Sequence, residues 1–415
     1  MLTKDIWPLG VDISPKINKK FNVSVYNVNL LGYGNKLQNK ISLETKNNKL
    51  INYNQGLYNI KNINGTFINS KIFYFNQDEK ENFGIELNKD FLTPETKYAG
   101  SIDIEHHNNF ERLNENDLFS PKSRVIYDEL NFWVGKSIPI KNKINRSRYV
   151  VSCGIYNKIF SQSPDTDPDI YNKYNSYSRV LTNFSIVNNN YYKSNFIYNY
   201  GITEDIPYGK LFQLVLGVEL QKKYTRIYSG IKLLKAQYKK YGYFNSCLNI
   251  GGFINKNKYE DGIVDVKFNY FTPLVIYKYL KLRNFIKINY SIGIRRYSDE
   301  LLELRNRTGI RGLYSDELKG LQRLNFSAET INFTETKIIG FNYCLFYFAD
   351  FGLIGSNKSC IFKNTLYSGF GIGLRIRNEN LVFKTFQIRF AYYPNAPIDI
   401  NKFNFLISGR QNMYF

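Results

Sequence analysis

Long hydrophobic runs are missing from this 415-residue chain. A membrane-spanning helix needs about 20 consecutive apolar residues, and no stretch approaches that length although 43% of the residues are hydrophobic. The mean hydropathy is -0.38. The sequence therefore excludes transmembrane helices. The opening residues, MLTKDIWPLG, also lack the pattern of a secretory signal, so that either a signal was removed or the chain is a fragment.

Cysteine and histidine are scarce. The four cysteines show no CxxC or histidine spacing typical of a metal or redox site: Cys153, Cys247, Cys344 and Cys360. A bond between Cys344 and Cys360 across one hairpin is an open alternative, but isolated small hydrophobic residues in strands are the favoured interpretation. His106 and His107 lie in EHHNNFERLNEND, which predicts a solvated turn. We therefore expect no metal site.

Signatures of catalysis are absent as well. The chain carries no nucleophile elbow, no histidine-based triad and no phosphate-binding loop. We therefore expect that the protein is not an enzyme, has no catalytic residues and needs no cofactor.

Aromatic residues, in contrast, are abundant, with 35 Tyr and 32 Phe. Such side chains fit the pleated surface of a sheet, and from about residue 20 onward the chain repeats strands of alternating polarity followed by polar segments. In the clearest strand, the residues from Ile286 to Ile294 alternate with polar ones from Lys287 to Arg295. The pattern predicts an all-β fold with lipid on one face and water on the other.

The repeat length predicts the size of the sheet. If one strand with its connection takes about 20–26 residues, the chain forms a single transmembrane antiparallel barrel of about 16 strands. Residues 38–64, 139–147 and 161–175 are interpreted as turns or extracellular loops. No linker divides the chain, so we expect one barrel domain over residues 1–415.

The net charge of +21 allows nucleic acid, anionic lipid or lipopolysaccharide as partners. Lys, Asn, Ile, Tyr and Phe are over-used together, and A+T-rich codons explain this excess about as well as a ligand does. The basic residues are scattered among apolar ones instead of forming a stripe. We interpret them as charges of loops and lumen, and expect no nucleic-acid partner.

One arginine and two carboxylates are set among aromatic, alternating segments near the C-terminus. Arg311 lies between Gly309 and Gly312 in a loop, whereas Glu329 and Asp350 lie in strand patterns, the latter before Gly352. Glycines permit positive φ or close backbone approach, and a guanidinium fork that keeps its proton suits two carboxylates. We predict that a long loop folds back into the lumen, where Glu329 and Asp350 accept hydrogen bonds from Arg311; an exposed loop charge at Arg311 is the open alternative. The residues of this predicted lock are Gly309, Arg311, Gly312, Glu329, Asp350 and Gly352.

These residues resemble the BamA-type outer-membrane assembly and translocation superfamily, the bacterial surface antigen family, which includes two-partner-secretion transporters. GIRGLY at 309–314 resembles its Val-Arg-Gly-Phe/Tyr motif, with Leu313 departing from the aromatic residue. NFSAETI at 325–331 and FYFADFG at 346–352 are similar to its glutamate and Phe-x-Asp-x-Gly strands. NLLGYGNKL at 29–37 and NINGTF at 62–67 are weaker matches, so that only the span from about 309 to 415 is specific.

The resemblance implies a location and an activity. The location is the outer membrane of a Gram-negative bacterium or of an organelle of bacterial origin, and the activity is insertion or translocation of other proteins through a lateral seam. The seam would pair the strand around Trp7 to Ile13 with the last strand, whose terminal aromatic residues are typical of barrel closure and of an assembly signal. The seam and signal residues are Phe403, Phe405, Ile407, Gly409 and Phe415.

The resemblance also implies partners. These are outer-membrane lipid and lipopolysaccharide, unfolded client outer-membrane or secreted proteins, and accessory lipoproteins or a separate subunit with POTRA domains. Such domains usually precede the barrel, and none is expected in this chain. They were removed, or they belong to a separate partner, or this is a reduced form.

Two other functions stay open. A passive pore or substrate channel would have the same strands, but a general porin does not need the predicted lock. A soluble, basic β-protein that binds anionic polymers would alternate too, and it would fold in water without detergent.

Overall fold

Strands dominate the computed structural model of the chain, which describes residues 8–408 apart from 17–19, 45–50, 78, 94, 113–121, 141–146, 166–172, 198, 257, 298–299, 307, 316, 357–359, 379–384 and 399. Helical structure within this part is limited to two 3-10 turns, Ile63–Gly65 and Ile361–Lys363. No helix there is long and apolar enough to cross a membrane. The prediction of an all-β fold is confirmed.

The described residues form 23 strands. In chain order they are β1 Leu9–Lys16, β2 Lys20–Leu30, β3 Asn35–Glu44, β4 Ile51–Ile60, β5 Asn69–Gln77, β6 Lys80–Lys89, β7 Tyr98–Arg112, β8 Lys122–Pro139, β9 Ser147–Gln162, β10 Tyr177–Ser194, β11 Glu204–Gln221, β12 Thr225–Lys239, β13 Gly242–Asn255, β14 Lys258–Phe271, β15 Val275–Tyr277, β16 Leu280–Ile294, β17 Leu302–Glu303, β18 Lys319–Gly320, β19 Gln322–Ile338, β20 Phe341–Gly355, β21 Tyr367–Arg377, β22 Thr385–Tyr392 and β23 Phe403–Ser408.

The strands form an antiparallel meander. Each strand from β1 to β13 pairs with the next one in the chain, and so does each strand from β19 to β22. Strands β14 and β15 pair with different halves of β16 and thus act as one interrupted strand. Strand β16 pairs onward with β19, because β17 and β18 form a separate ribbon. Successive connections therefore lie alternately at the two opposite ends of the strands.

The main sheet has 21 strands, more than the number expected from the repeat length. Part of the excess lies in residues 38–64, whose interpretation as a loop was wrong, since they hold most of β3 and β4. The buried amide of Gln38 donates to Ser24 Oγ at 2.9 Å, and Ser42 Oγ donates to Asn54 Oδ1 at 3.1 Å. Because buried polar groups are tolerated when they are hydrogen-bonded, a polar segment here belongs to the sheet.

The two faces of the sheet have opposite polarity. We name the face that carries Glu329 and Asp350 the inner face and the opposite one the outer face. On β16, outer-face Ile288 is 37% exposed, whereas inner-face Asn289 and Ser291 are 8% and 0% exposed. A sheet that folds in water buries its apolar face, so that the arrangement here is inverted and matches strands with lipid outside.

The apolar core lies on the inner face of β16, β19 and β20. Its aromatic side chains include Phe285, Phe333, Phe346 and Phe348 of these strands. Two connections pack against them, with Ile310 and Leu313 from residues 295–321 and Ile197 from residues 195–203. The core is therefore made by segments that cover the sheet, not by a second sheet.

Two sequence expectations concern cysteine and histidine. All four cysteines are free. The turn predicted for His106 and His107 was wrong, because both lie within β7, paired with β6 and β8. His106 Nδ1 lies 2.7 Å from Asp128 Oδ1, and His107 stacks on Tyr127 with ring centroids 4.3 Å apart. Cross-strand partners therefore hold these polar residues in a strand.

Candidate functional site: a buried arginine and two carboxylates on the inner face

The connection between β16 and β19, residues 295–321, folds onto the inner face. Three of its apolar side chains, Leu304, Ile310 and Leu313, are fully buried. The ribbon of β17 and β18 shapes the connection, and Leu304 N donates to the carbonyl of Leu318 at 2.9 Å. Ordinary connections run over the surface, so that a buried apolar loop of this length is built to cover the strands.

This loop brings Arg311 to both carboxylates that the sequence singled out. Its Nε donates to Asp350 Oδ2 at 2.8 Å and its Nη2 to Asp350 Oδ1 at 2.8 Å, a two-pronged contact. Its Nη1 donates to Glu329 Oε2, and its backbone N–H donates to Asp350 Oδ2 at 3.0 Å. We name these three residues the arginine lock; all three are buried.

The charge of the lock is stable. Burial by itself lowers the pKa of the Arg311 guanidinium, but the carboxylates of Asp350 and Glu329 outweigh it and raise that pKa above its ordinary value. Arg311 also lies over the Phe348 ring, 4.2 Å from its centroid. The guanidinium is therefore held by charge, hydrogen bonds and an aromatic face together.

Register explains why the carboxylates converge. Glu329 on β19 pairs with Phe348 on β20, and Asp350 pairs with Ser327. The two carboxylates are thus diagonal neighbours on one face of adjacent strands, within reach of a single guanidinium.

Sequence reasoning missed two residues of this site. Arg375 on β21 places Nη2 3.0 Å from Glu329 Oε1 and lies 4.0 Å from the Phe346 centroid. Tyr393 Oη donates to the carbonyl of Arg311 at 2.7 Å. Alternation in GFGIGLRIR puts Arg375 on the polar face, which was a usable signal, whereas nothing local marked Tyr393. Glu329 is thus shared by two guanidiniums.

The three glycines of the site are required for different structural reasons. Gly312 has φ +82°, a left-handed conformation, and its N–H donates to Asn306 Oδ1 at 2.6 Å. Gly309 and Gly352 both face the Leu304 side chain, and a Cβ on Gly352 would lie 2.7 Å from Leu304 Cδ1. The first glycine is required by backbone conformation and the other two by space.

A second buried ion cluster, which the sequence did not predict, lies near the end of the strands where the loop 295–321 begins. Arg226 Nε donates to Glu219 Oε1 at 2.6 Å, and Arg179 Nε donates to Glu219 Oε2 at 2.9 Å. Asp261 connects the cluster to the loop, 3.7 Å from Arg226 Nη2 and 3.6 Å from Arg296 Nη1. The start of the loop is thus tied to the strands as well.

The predicted seam residues divide into two groups. Phe403, Phe405 and Ile407 lie on β23, exposed on the side of Tyr392, Phe390 and Ile388 of β22. Gly409 and Phe415 lie outside the described residues, as does Trp7. Within residues 8–408 as described, β23 pairs only with β22 and β1 only with β2.

No protein-family model matches the chain, and no curated protein matches it. Among solved structures, it is similar to BamA from Haemophilus ducreyi lacking POTRA domains 1–3, at 10% identity and a TM-score of 0.38, over 96% of this chain and 74% of that one. It is also similar to CdiB from Acinetobacter baumannii, at 10% identity and a TM-score of 0.40, over 97% of this chain and 65% of that one.

Proposed function

We propose that this chain is an outer-membrane β-barrel that inserts or translocates other proteins through a lateral seam, with the loop 295–321 fixed in its lumen by the arginine lock. The inverted sheet supports the membrane location, since its exposed face is apolar and its covered face polar. The resemblance of GIRGLY and FYFADFG to the BamA-type motifs supports the activity. In this proposal residues 1–415 form one barrel domain.

The observation that carries the proposal is the buried contact of Arg311 with Asp350 and Glu329. Ions buried in pairs are weak contributors to stability as such, but losing one partner is costly, about 3–5 kcal/mol. A loop that is held this way has one defined position, which a passive pore does not require. The arginine lock would therefore hold the loop 295–321 in the position in which the lumen can act on a client protein.

The proposed mechanism uses strand edges, not chemistry. The edges of β1 and β23 would form the seam; when they part, each offers backbone N–H and C=O groups to which a client strand can add. Phe403, Phe405 and Ile407 would face lipid beside the seam. The proposal includes no enzymatic reaction, no cofactor and no metal.

Partners follow from this mechanism. They would be unfolded outer-membrane or secreted proteins as clients, outer-membrane lipid and lipopolysaccharide around the barrel, and accessory lipoproteins or a POTRA-bearing subunit. Nucleic acid is not among them.

The test is client insertion into liposomes that contain the purified protein. We expect the protein to accelerate folding of a second, unfolded barrel, and expect Arg311→Ala to abolish most of the acceleration while the chain still migrates as a compact, heat-sensitive species on gels. Arg305→Ala, in the same loop but only half-buried, is the matched control and should retain the activity.

Three outcomes separate the alternatives. Conductance through the liposomes without faster client folding would favour a passive pore or substrate channel, for which the polar inner face, with Lys267 in it, is the supporting observation. Full acceleration by Arg311→Ala would remove the lock from the mechanism. Folding in water without detergent would overturn both membrane functions.

A further inference from the structure

A second connection, residues 195–203 between β10 and β11, also packs on the inner face. It starts from the opposite end of the strands to the loop 295–321. The connection 195–203 lies at the same end of the strands as the turns at 240–241 and 339–340. The loop 295–321 lies at the opposite end of β16 and β19. Residue 198 is outside the described part. Leu9, where β1 begins, and Ser408, where β23 ends, lie at the same end of the strands as this connection.

The connection is buried by aromatic contacts. Ile197 is only 2% exposed. Phe196 and Tyr200 both meet the Phe333 ring edge-on, with centroids 5.3 and 5.6 Å apart, and Tyr200 Oη lies 2.8 Å from Cys344 Sγ. Phe333 and Cys344 are on the same face of β19 and β20 as the arginine lock.

A buried guanidinium fixes the base of the connection. Arg283, on the inner face of β16, donates from Nη2 to the carbonyl of Asn195 at 3.0 Å and from Nη1 to the carbonyl of Thr272 at 2.9 Å. Its side chain is almost fully buried. One charged group thus joins the connection to two other parts of the chain.

The backbone of the connection is strained. Phe196 has φ +55°, whereas the φ of +88° at Gly201 is one that glycine adopts without strain. A bulky residue with positive φ is an outlier that persists only where its surroundings enforce it. The docked position is therefore maintained by the aromatic contacts, and their loss favours release.

Arg375 links the two inner-face connections through Glu329. Tyr200 Oη donates to the carbonyl of Arg375 at 3.4 Å, and the Arg375 guanidinium lies 3.0 Å from Glu329 of the arginine lock. Along β19, Glu329 and Phe333 are four residues apart, about 13 Å. Arg375 therefore contacts Tyr200 of the connection 195–203 directly and is linked to Arg311 of the loop 295–321 through Glu329.

We infer that the described residues of the connection 195–203 form a second plug, which closes the lumen at the end where β1 begins and β23 ends, and that this plug must leave before a chain can enter from that side. The inference rests on the proposed barrel. The plug and the loop 295–321 act in series, so that release of one alone leaves the lumen closed.

The test uses the native Cys344 as a reporter under the plug. In a chain with Cys153→Ser, Cys247→Ser and Cys360→Ser, a water-soluble methanethiosulfonate should label Cys344 slowly. We expect Tyr200→Ala to increase the labelling rate on the order of tenfold or more, since local opening controls access, and Tyr200→Phe to leave it nearly unchanged. The control is Tyr241→Ala, because Tyr241 is an exposed tyrosine in a turn at the same end of the strands.

Each outcome decides. Equal Cys344 labelling rates with and without Tyr200→Ala in the chain that carries the three serine substitutions, or rapid labelling of both, would overturn the plug. If Tyr200→Ala does not give the compact, heat-sensitive species, Phe196→Ala is measured with the same expectation. In planar bilayers, we expect a large rise in conductance only when Tyr200→Ala is combined with Arg311→Ala; full opening by either alone would overturn the arrangement in series.

Labelling also separates this inference from the proposed function. It needs only the folded chain in detergent, without a client. Slow labelling that Tyr200→Ala accelerates, in a protein that does not speed client folding, would leave the plug standing and remove the assembly function.

Discussion

At the residue scale, the chemistry of arginine explains the site. A guanidinium cannot escape burial by losing its proton, and the carboxylates of Asp350 and Glu329 raise the pKa of Arg311 further, against the effect of burial. The planar fork matches the two oxygens of Asp350, which receive one donor each. A lysine would offer a point charge without that geometry, so the residue type matters as much as the charge.

We predict that Asp350→Asn destabilises the folded protein by about 3–5 kcal/mol. The substitution keeps the shape of the side chain but leaves the buried Arg311 charge with too few acceptors. The measurement is unfolding by urea in detergent or liposomes, followed by the loss of compact gel migration.

The control for this prediction is Asp205→Asn, an exposed carboxylate on β11. We expect a change of about 0.5 kcal/mol or less there. Equal effects of the two substitutions would contradict the assignment of a buried, paired Asp350.

At the scale of elements, the loop 295–321 depends on one backbone conformation. Gly312 has φ +82°, and a Cβ there would meet the Tyr393 hydroxyl and the Arg389 guanidinium. These groups line the inner face next to the lock. The position of Arg311 therefore depends on its neighbouring glycine.

Gly312→Ala should consequently weaken docking of the loop by about 1–3 kcal/mol, through strain and crowding together. Limited proteolysis within residues 295–321 measures docking, since an undocked loop is cut faster. Gly34→Ala is matched in conformation, with φ +73°, but has open space around it; its cost should be about 1–2 kcal/mol from the backbone conformation alone, without faster cleavage of the loop. Unchanged cleavage of Gly312→Ala would count against the docked loop.

At the scale of the whole molecule, polarity is inverted. Apolar side chains such as Ile288, Leu216 and Phe132 are exposed on the strands, while charged and amide groups are covered on the inner face. Water would disfavour that arrangement, and a lipid environment favours it because lipid replaces the missing apolar partner.

Ile288→Lys tests the environment of the outer face, since this residue lies near the middle of β16. In a bilayer, a lysine there should destabilise the inserted protein by about 2–4 kcal/mol, measured as the fraction that becomes compact and heat-sensitive in liposomes. Leu31→Lys, in the turn between β2 and β3, should change it by about 1 kcal/mol or less. A soluble β-protein would instead tolerate Ile288→Lys and gain solubility.

The sequence by itself determined the all-β class and the two-faced strands, and it singled out Arg311, Glu329 and Asp350 as residues that need partners. These follow from local rules: alternation of period two places residues on faces, and a charged residue among apolar strands demands a partner. Arg311, Glu329 and Asp350 were found for that reason. The number of strands and the place of residues 38–64 were missed, because partners on other strands, such as Ser24 for Gln38, satisfy the polar residues there.

Only the tertiary structure decided which distant groups complete the site. Arg375 and Tyr393 contact the lock through strand register and through the return of a loop, and the packing of residues 195–203 on Phe333 joins parts of the chain more than 130 residues apart. Contacts of this kind leave no local pattern, because they depend on how strands align across the sheet and not on spacing along the chain.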